Sequence, residues 1–193
     1  MDKRIEKTLD KVRSAAIEVL AEQGFSAFSM DAVAVRSGVA RSTLYRHWSD
    51  RIALISDALE AQNRQPPQGE ILRKGELRNR TISLISHLAA VFESSPIARA
   101  IPALIEAAEH YPQVAAFLHA YSAARRQALV DLLRAGIEVG DIAPETDPEL
   151  TAVILSGPIF YCRLMSPEPF PVGQVPDLVD FALGRTPSAQ QMP

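Results

Sequence analysis

The residues best suited to chemistry are polar and basic side chains in the stretch SMDAVAVRSGVARSTLYRHWSDR, positions 29–51. At about 100° per residue, a helix beginning near Arg41 places Leu44 and Trp48 on one side and a polar group on the other. We call this polar group the reading face: it consists of Ser42, Thr43 and Arg46, with Tyr45 and His47 at its margins. Hydroxyl and guanidinium groups clustered in this way suit phosphate oxygens and the base edges of DNA.

The residues before this helix predict a second helix and a tight turn. Ser29 is a candidate N-cap, and Asp31 in the following turn suits the positive end of the helix dipole. Gly38 can supply the positive φ that a sharp reversal between two helices requires. The pattern predicts a helix-turn-helix over about residues 29–48, in which Arg41, at the start of the second helix, is placed to meet base edges.

After Trp48, the sequence predicts a further helix from Asp50 to about Gln62. Ser49 is the candidate N-cap. Arg51 then lies in the first turn, where we expect it to be exposed and to meet a DNA phosphate.

Charge is concentrated in the same segment. Between residues 36 and 51 there are four cations against one anion, Asp50, whereas the whole chain carries a formal net charge of -3. The four cations are Arg36, Arg41, Arg46 and Arg51. A basic island on an acidic chain favours DNA binding through local counterion release. The alternative is a helical hairpin whose polar face is merely solvated, and the basic island argues against it.

This segment resembles the TetR/AcrR family of transcriptional regulators. The resemblance is carried, in order and spacing, by residues 29–34, 37–40, 43–48 and 51–54, and with the first helix it covers roughly the first 60 residues. There are two departures. Ala40 stands where the family usually has a capping Ser or Thr, at a cost of about 1 kcal/mol, and Trp48 replaces the usual Phe.

The resemblance implies a role for each matching residue. The residues expected to hold phosphates are Ser29, Tyr45, His47 and Arg51. Those expected to face bases are Arg41, Ser42, Thr43 and Arg46. The implied partner is double-stranded DNA.

The rest of the chain predicts an all-α protein. Helical patterns occupy about residues 9–24, 71–93, 97–110, 113–139, 147–165 and 177–183. Asp147-Pro148-Glu149 is a strong helix start, with the Asp at N-cap and the Pro at N1. The break at Gln65 to Gly69 marks a domain boundary. We therefore predict a helix-turn-helix domain over 1–64, a helical bundle over 65–185, and a disordered tail over 186–193.

The resemblance implies that the bundle binds a small-molecule effector and forms a homodimer. Candidate pocket residues are His87, Phe92, Phe117, Tyr121, Phe160, Tyr161 and Cys162. The alternative is that these residues are ordinary core. The last two helices carry more apolar residues than one core needs: Val153, Ile154, Leu155, Ile159, Phe160, Leu164, Leu178, Val179, Phe181 and Leu183. They predict a symmetric dimer, or else they complete the domain core.

Composition and motif content exclude several classes of protein. With 47% hydrophobic residues the chain can bury a core, and its single cysteine excludes an internal disulfide framework and a cysteine-based zinc site. We expect no signal peptide, no membrane span and a reducing cytoplasm. Phosphate-loop, hydrolase and metal-site spacings are missing from the sequence, so we expect no cofactor, no metal and no enzyme activity.

These observations predict a ligand-responsive repressor. It would act as a homodimer on a palindromic operator and be released by a small molecule bound in the bundle. The alternatives are a ligand-independent activator, an architectural DNA-binding protein, a protein-interaction adaptor, or a helical-bundle enzyme.

Overall fold

A computed structural model describes residues 3–66 and 72–185. Over these ranges the chain forms nine α-helices and one 3-10 turn, and no strand, which confirms the all-α prediction. The helices are α1 Lys3–Ala27, α2 Met30–Ser37, α3 Arg41–His47, α4 Arg51–Gln62, α5 Leu77–Ser94, α6 Pro96–His110, α7 Pro112–Glu138, α8 Pro148–Met165 and α9 Val175–Ala182.

The chain divides into two compact units. The first comprises Met1–Arg64 and Ser94–Ser122, and the second comprises Gln65–Glu93 and Ala123–Pro193. In the first unit, α1 packs against α2, α4 and α6. Its core includes the fully buried side chains Ile17, Leu20, Phe25, Leu44, Leu54, Leu59 and Leu104.

Local signals set most helix ends of the first unit. The Ser29 side chain accepts a hydrogen bond from the Ala32 backbone N–H, as an N-cap of α2, and Gly38 ends that helix with a left-handed φ of 66°. Ala40 makes no side-chain cap for α3. The first helix is interrupted at Gly24 (φ 72°), where the sequence pattern predicts its end, and helical structure resumes to Ala27.

The predicted cap of α4 was wrong by one residue. The Asp50 carboxylate, not Ser49, accepts from the backbone N–H groups of Ile52 and Ala53. The Ser49 hydroxyl donates to that carboxylate. A carboxylate is the stronger acceptor at a helix N-terminus, and the Ala53 hydrogen bond, opposed by partial burial, lowers the pKa of Asp50 below its ordinary value.

In the second unit, α5 begins at Leu77 and not near Ile71, which lies outside the described residues. Asp141, which follows α7, sets this start by accepting from the backbone N–H groups of Gly75 (2.6 Å) and Leu77 (3.2 Å). Gly136 of α7 packs directly on the Leu77 side chain, since a Cβ at Gly136 would lie 2.5 Å from Leu77 Cδ2. A side chain at Gly136 would therefore require the Leu77 side chain to move.

The remaining helices of the second unit follow their sequence signals. Asp147 caps α8 with Pro148 in its first turn, as predicted. The last helix, α9, begins at Val175, two residues earlier than predicted, because Pro176 fits its first turn. The predicted tail over 186–193 lies outside the described residues.

The hydropathy of the described helices was compared with that of a membrane-spanning helix. Within 3–66 and 72–185, no one helix is both long and apolar enough to cross a membrane, although α5 and α6 pass that test jointly as a bent pair.

Candidate nucleic-acid interface

The reading face of α3 points to solvent. Leu44, on the opposite side, is fully buried, and Trp48 just after the helix is 5% exposed. Ser42 and Arg46 are exposed, and Thr43 is half-buried. The division into a buried and a polar side therefore follows the predicted angles, and the polar side chains are available to a ligand.

A shared carboxylate anchors the end of the reading helix. The Trp48 indole Nε1–H donates to Asp57 Oδ2 of α4 at 2.9 Å, and Arg13 Nε of α1 donates to the same oxygen at 2.9 Å. Arg13 also donates to Glu6 and Asp10. Sequence reasoning missed this network, because Arg13 lies 44 residues from Asp57.

Arg41 is held by two neighbours on the surface. Its Nη1 lies 2.9 Å from Asp31 Oδ1 on α2, and both side chains are 59% exposed. Its Nη2 donates to the Tyr45 hydroxyl at 3.5 Å, and the guanidinium lies 5.3 Å from the Tyr45 ring centroid. The hydrogen bond to Tyr45 and the charge of Asp31 raise the pKa of Arg41 above its ordinary value, so Arg41 is charged at any pH used for DNA binding.

The predicted basic island is partly neutralised. Arg36 forms ion pairs with Glu18 and Glu22 of α1, and Arg41 is paired with Asp31. The count of four cations against one anion within residues 36–51 therefore overstates the local positive charge, because the neutralising carboxylates lie outside that window.

Arg46 keeps its charge available for DNA. Among the described residues no carboxylate pairs with it, and its Nη2 donates to Thr43 Oγ1 at 3.3 Å on the reading face. The exposed His47 ring lies 5.7 Å from the Trp48 ring. Arg46 and His47 are thus exposed to solvent next to Trp48, whose indole is held by Asp57.

Arg51 is half-buried, which corrects the prediction of an exposed first turn. Its guanidinium lies 4.0 Å from the Phe25 ring centroid and 5.8 Å from that of Tyr111, and Nη1 donates to the Phe25 carbonyl at 3.4 Å. Stacking on aromatic faces partly desolvates the guanidinium. Sequence reasoning missed this site because Tyr111 is 60 residues away.

Candidate pocket residues divide between the two units. In the first, Phe117 and Tyr121 have ring centroids 6.0 Å apart, and the Tyr121 hydroxyl accepts from Asn63 Nδ2 at 2.8 Å. In the second, Phe92 and Phe160 pack edge to face at 4.9 Å. These contacts give the four rings packing partners of their own.

The other three candidates differ in exposure. His87 is half-buried, and burial together with the charge of Arg125 lowers the pKa of its imidazole. Cys162 is half-buried with a free thiol. Tyr161 is 65% exposed, which corrects its assignment to a pocket wall, because the period of α8 places it opposite the buried Leu155 and Ile159.

Comparison with known proteins identifies the family. A model described as "Bacterial regulatory proteins, tetR family" matches residues 12–58, and one described as "Tetracyclin repressor-like, C-terminal domain" matches residues 71–182. YdeS of Bacillus subtilis (strain 168), an uncharacterized HTH-type transcriptional regulator, is 30% identical over 179 residues, covering 91% of this chain and 88% of YdeS. The chain belongs to the TetR family. It is therefore a DNA-binding helix-turn-helix transcriptional regulator and not an enzyme, and the resemblance in the first 60 residues is confirmed.

A further relative and two solved structures are also similar to this chain. The DNA-binding transcriptional repressor TetR of Mycobacteroides abscessus is 34% identical over 97 residues, covering half of each chain. The crystal structure of the TetR family transcription regulator SCO0332 superposes with a TM-score of 0.66 at 28% identity, covering 93% of this chain and 98% of that one. Bacillus subtilis FadR, solved in complex with stearoyl-CoA, shares the fold with a TM-score of 0.70 at 18% identity, covering 90% and 96%.

Proposed function

We propose that this TetR-family protein is a ligand-responsive repressor, which binds a palindromic operator as a homodimer and leaves it when a small molecule binds. The observation that carries the DNA-binding part is the exposed reading face, mounted on the buried Leu44 and on Trp48, whose indole is fixed by Asp57. We assign DNA binding to residues 1–64 and regulation to 65–185. The protein would act in the cytoplasm, where its operator lies.

On the operator, each side chain has a proposed role. Base edges are assigned to Arg41, Ser42, Thr43 and Arg46. Phosphates are assigned to Ser29, Tyr45, His47 and Arg51. The exposure of Ser29, Tyr45 and His47 supports these roles. Arg51 would reach a phosphate only with the part of its guanidinium that the Phe25 stack leaves open.

The dimer is proposed to form through an apolar outer face on α8 and α9. Its members are between 41% and 75% exposed: Leu150, Val153, Ile154, Tyr161, Leu164 and Met165 of α8, and Phe181 of α9. Of the apolar residues predicted for this interface, Leu155, Ile159 and Val179 are buried instead and form core. Six large apolar side chains on one face of α8, together with the exposed Phe181 of α9, are more than a soluble surface usually exposes, and a second copy would cover them.

For the ligand response we propose a population shift. A small molecule in the regulatory bundle would favour a dimer whose two reading helices no longer match half-sites about 34–36 Å apart. Moving the equilibrium from 1:99 to 99:1 requires a ligand preference of about 5.5 kcal/mol for the released state. Candidate contacts remain His87, Phe92, Phe160 and Cys162 in the second unit and, as a separate set, Phe117 and Tyr121 in the first. FadR, which has this fold, holds stearoyl-CoA.

One experiment tests the proposal directly. The purified full-length protein is used to select bound sequences from random duplex DNA, and the selection is repeated with a panel of metabolites. We expect a palindromic consensus and at least one compound that abolishes enrichment. Failure to enrich any sequence at low ionic strength would contradict operator binding, whereas a consensus insensitive to every compound would favour a ligand-independent regulator.

Arg46→Ala and Thr43→Val test the reading face. Each is expected to reduce discrimination between operator and random duplex by about 1–3 kcal/mol, since a base contact is lost. Fluorescence anisotropy with both duplexes measures the ratio. If the ratio in both variants equals that of the parent, these side chains are not base readers.

Arg51→Ala tests phosphate contact by the stacked arginine. We expect weaker binding to all duplexes alike and a slope of log affinity against log salt that is smaller in magnitude by about 1, because one counterion fewer is released. A series of titrations at increasing salt measures it. An unchanged slope would show that Arg51 contacts no phosphate and only stacks on Phe25.

A further inference from the structure

We propose that Asp31 is a specificity-determining residue of the DNA interface. It would hold the Arg41 guanidinium in place on the reading surface and keep it from pairing indiscriminately with phosphates. This inference rests on the proposed operator binding and adds to it a residue that touches no base itself.

The geometry is a surface triad. Asp31 lies in the first turn of α2 and Arg41 at the first position of α3, and their Oδ1 and Nη1 atoms are 2.9 Å apart. Tyr45, one turn further along α3, contacts the other side of the guanidinium through its hydroxyl and ring. Arg41 is therefore held from two sides, by a carboxylate and by an aromatic ring.

Exposure indicates that the pair does not serve the stability of the fold. Both side chains are 59% exposed, and ion pairs in such surroundings contribute little to folding stability. Arg36, by contrast, is bound by two glutamates of α1 and is 35% exposed. What the Asp31 pair does control is the direction of the Arg41 head group and the net charge of the surface around it.

The net charge of the surface triad determines how strongly it is attracted to DNA phosphates. On a random duplex, Arg41 could gain a phosphate contact, but the adjacent carboxylate opposes this by repelling the phosphate. A guanidinium has five N–H donors in a planar fork, so Arg41 can keep Asp31 on one nitrogen and still offer the others to a base edge. The carboxylate thus penalises binding to phosphates more than binding to bases.

Asp31→Asn is the test, with the consensus duplex from the selection and a random duplex of the same length. We expect affinity for the random duplex to rise about 10-fold, with a salt slope larger in magnitude by about 1, because one anion is lost from the interface. Affinity for the consensus should change less than 3-fold. The specificity ratio should therefore fall several-fold, and circular dichroism should show an unchanged helical content.

Two controls separate the mechanisms. In an Arg41→Ala background, Asp31→Asn should no longer change the ratio, since the effect acts through Arg41. Glu22→Gln, which removes a carboxylate from the Arg36 pair of the same unit, should raise both affinities by one modest factor. Equal gains on both duplexes for Asp31→Asn, or no gain on either, would overturn the proposal. A parent protein that selects no operator would instead refute the proposed function.

Discussion

Ile154→Glu is expected to dissociate the proposed dimer and, with it, to abolish tight operator binding. Ile154 is 41% exposed on the apolar outer face of α8. A twofold interface would bury the new carboxylate twice, without a partner, at a cost of at least about 3 kcal/mol. The dimer dissociation constant should rise at least 100-fold, which sedimentation equilibrium measures over a concentration series.

The matched control for this variant is Ala116→Glu. It adds the same charge at an exposed position of α7, outside the apolar outer face, and should leave self-association unchanged. Operator affinity should fall only for Ile154→Glu, because a monomer reaches one half-site. An Ile154→Glu protein that sediments as a dimer would place the interface elsewhere.

Arg78→Ala is expected to destabilise the fold more than the loss of an exposed ion pair does. Arg78 Nε and Nη2 lie 2.6 and 2.7 Å from the two carboxylate oxygens of Asp180, whose side chain is 6% exposed. Without Arg78 the buried carboxylate of α9 loses both of these hydrogen bonds. Since Arg78 is about a third exposed, we expect a loss of about 2–4 kcal/mol in the free energy of unfolding, measured by urea denaturation at pH 7.

The pH dependence gives this prediction a second readout. The hydrogen bonds from Arg78 lower the pKa of Asp180, against a smaller opposing effect of burial. In the parent, this stabilisation is present above the unfolded-state pKa, near 4, and is lost as pH falls through the folded-state pKa. In the variant the carboxyl protonates readily, so the stability difference should shrink below about pH 4.

An exposed pair provides the comparison. Arg134 and Glu149 are both 51% exposed at 3.2 Å, and Arg134→Ala should cost at most about 1 kcal/mol at any pH. A loss for Arg78→Ala no larger than this, or one independent of pH, would show that Asp180 is solvated when unpaired.

The parts of the fold that the sequence predicts well are those decided within a few residues. Ser29, Gly38 and the Asp147–Pro148 pair act on backbone groups up to four positions away, so local chemistry suffices. The reading face also follows from helical period alone. Once Leu44 and Trp48 are expected to face the protein interior, the exposure of the opposite side chains follows.

What the sequence could not predict depends on partners far along the chain. The start of α5 is set by Asp141, more than 60 residues later. Arg51 is drawn inward by Phe25 and Tyr111, and the charge of Arg36 is cancelled by carboxylates on α1. Counting charges within a window overlooks such pairs, since an arginine reaches any acidic residue that folding brings near.

Because Trp48 and Arg13 donate to the same carboxylate oxygen of Asp57, the position of the proposed reading helix α3 depends on the position of α1. One oxygen atom of Asp57 accepts hydrogen bonds from both the Trp48 indole and the Arg13 guanidinium. If α1 slides along α4, either the Arg13 hydrogen bond lengthens or Asp57 and the Trp48 indole move with α1. If α3 lies in a DNA groove as proposed, its tilt therefore depends on α1, a helix that carries none of the proposed reading residues.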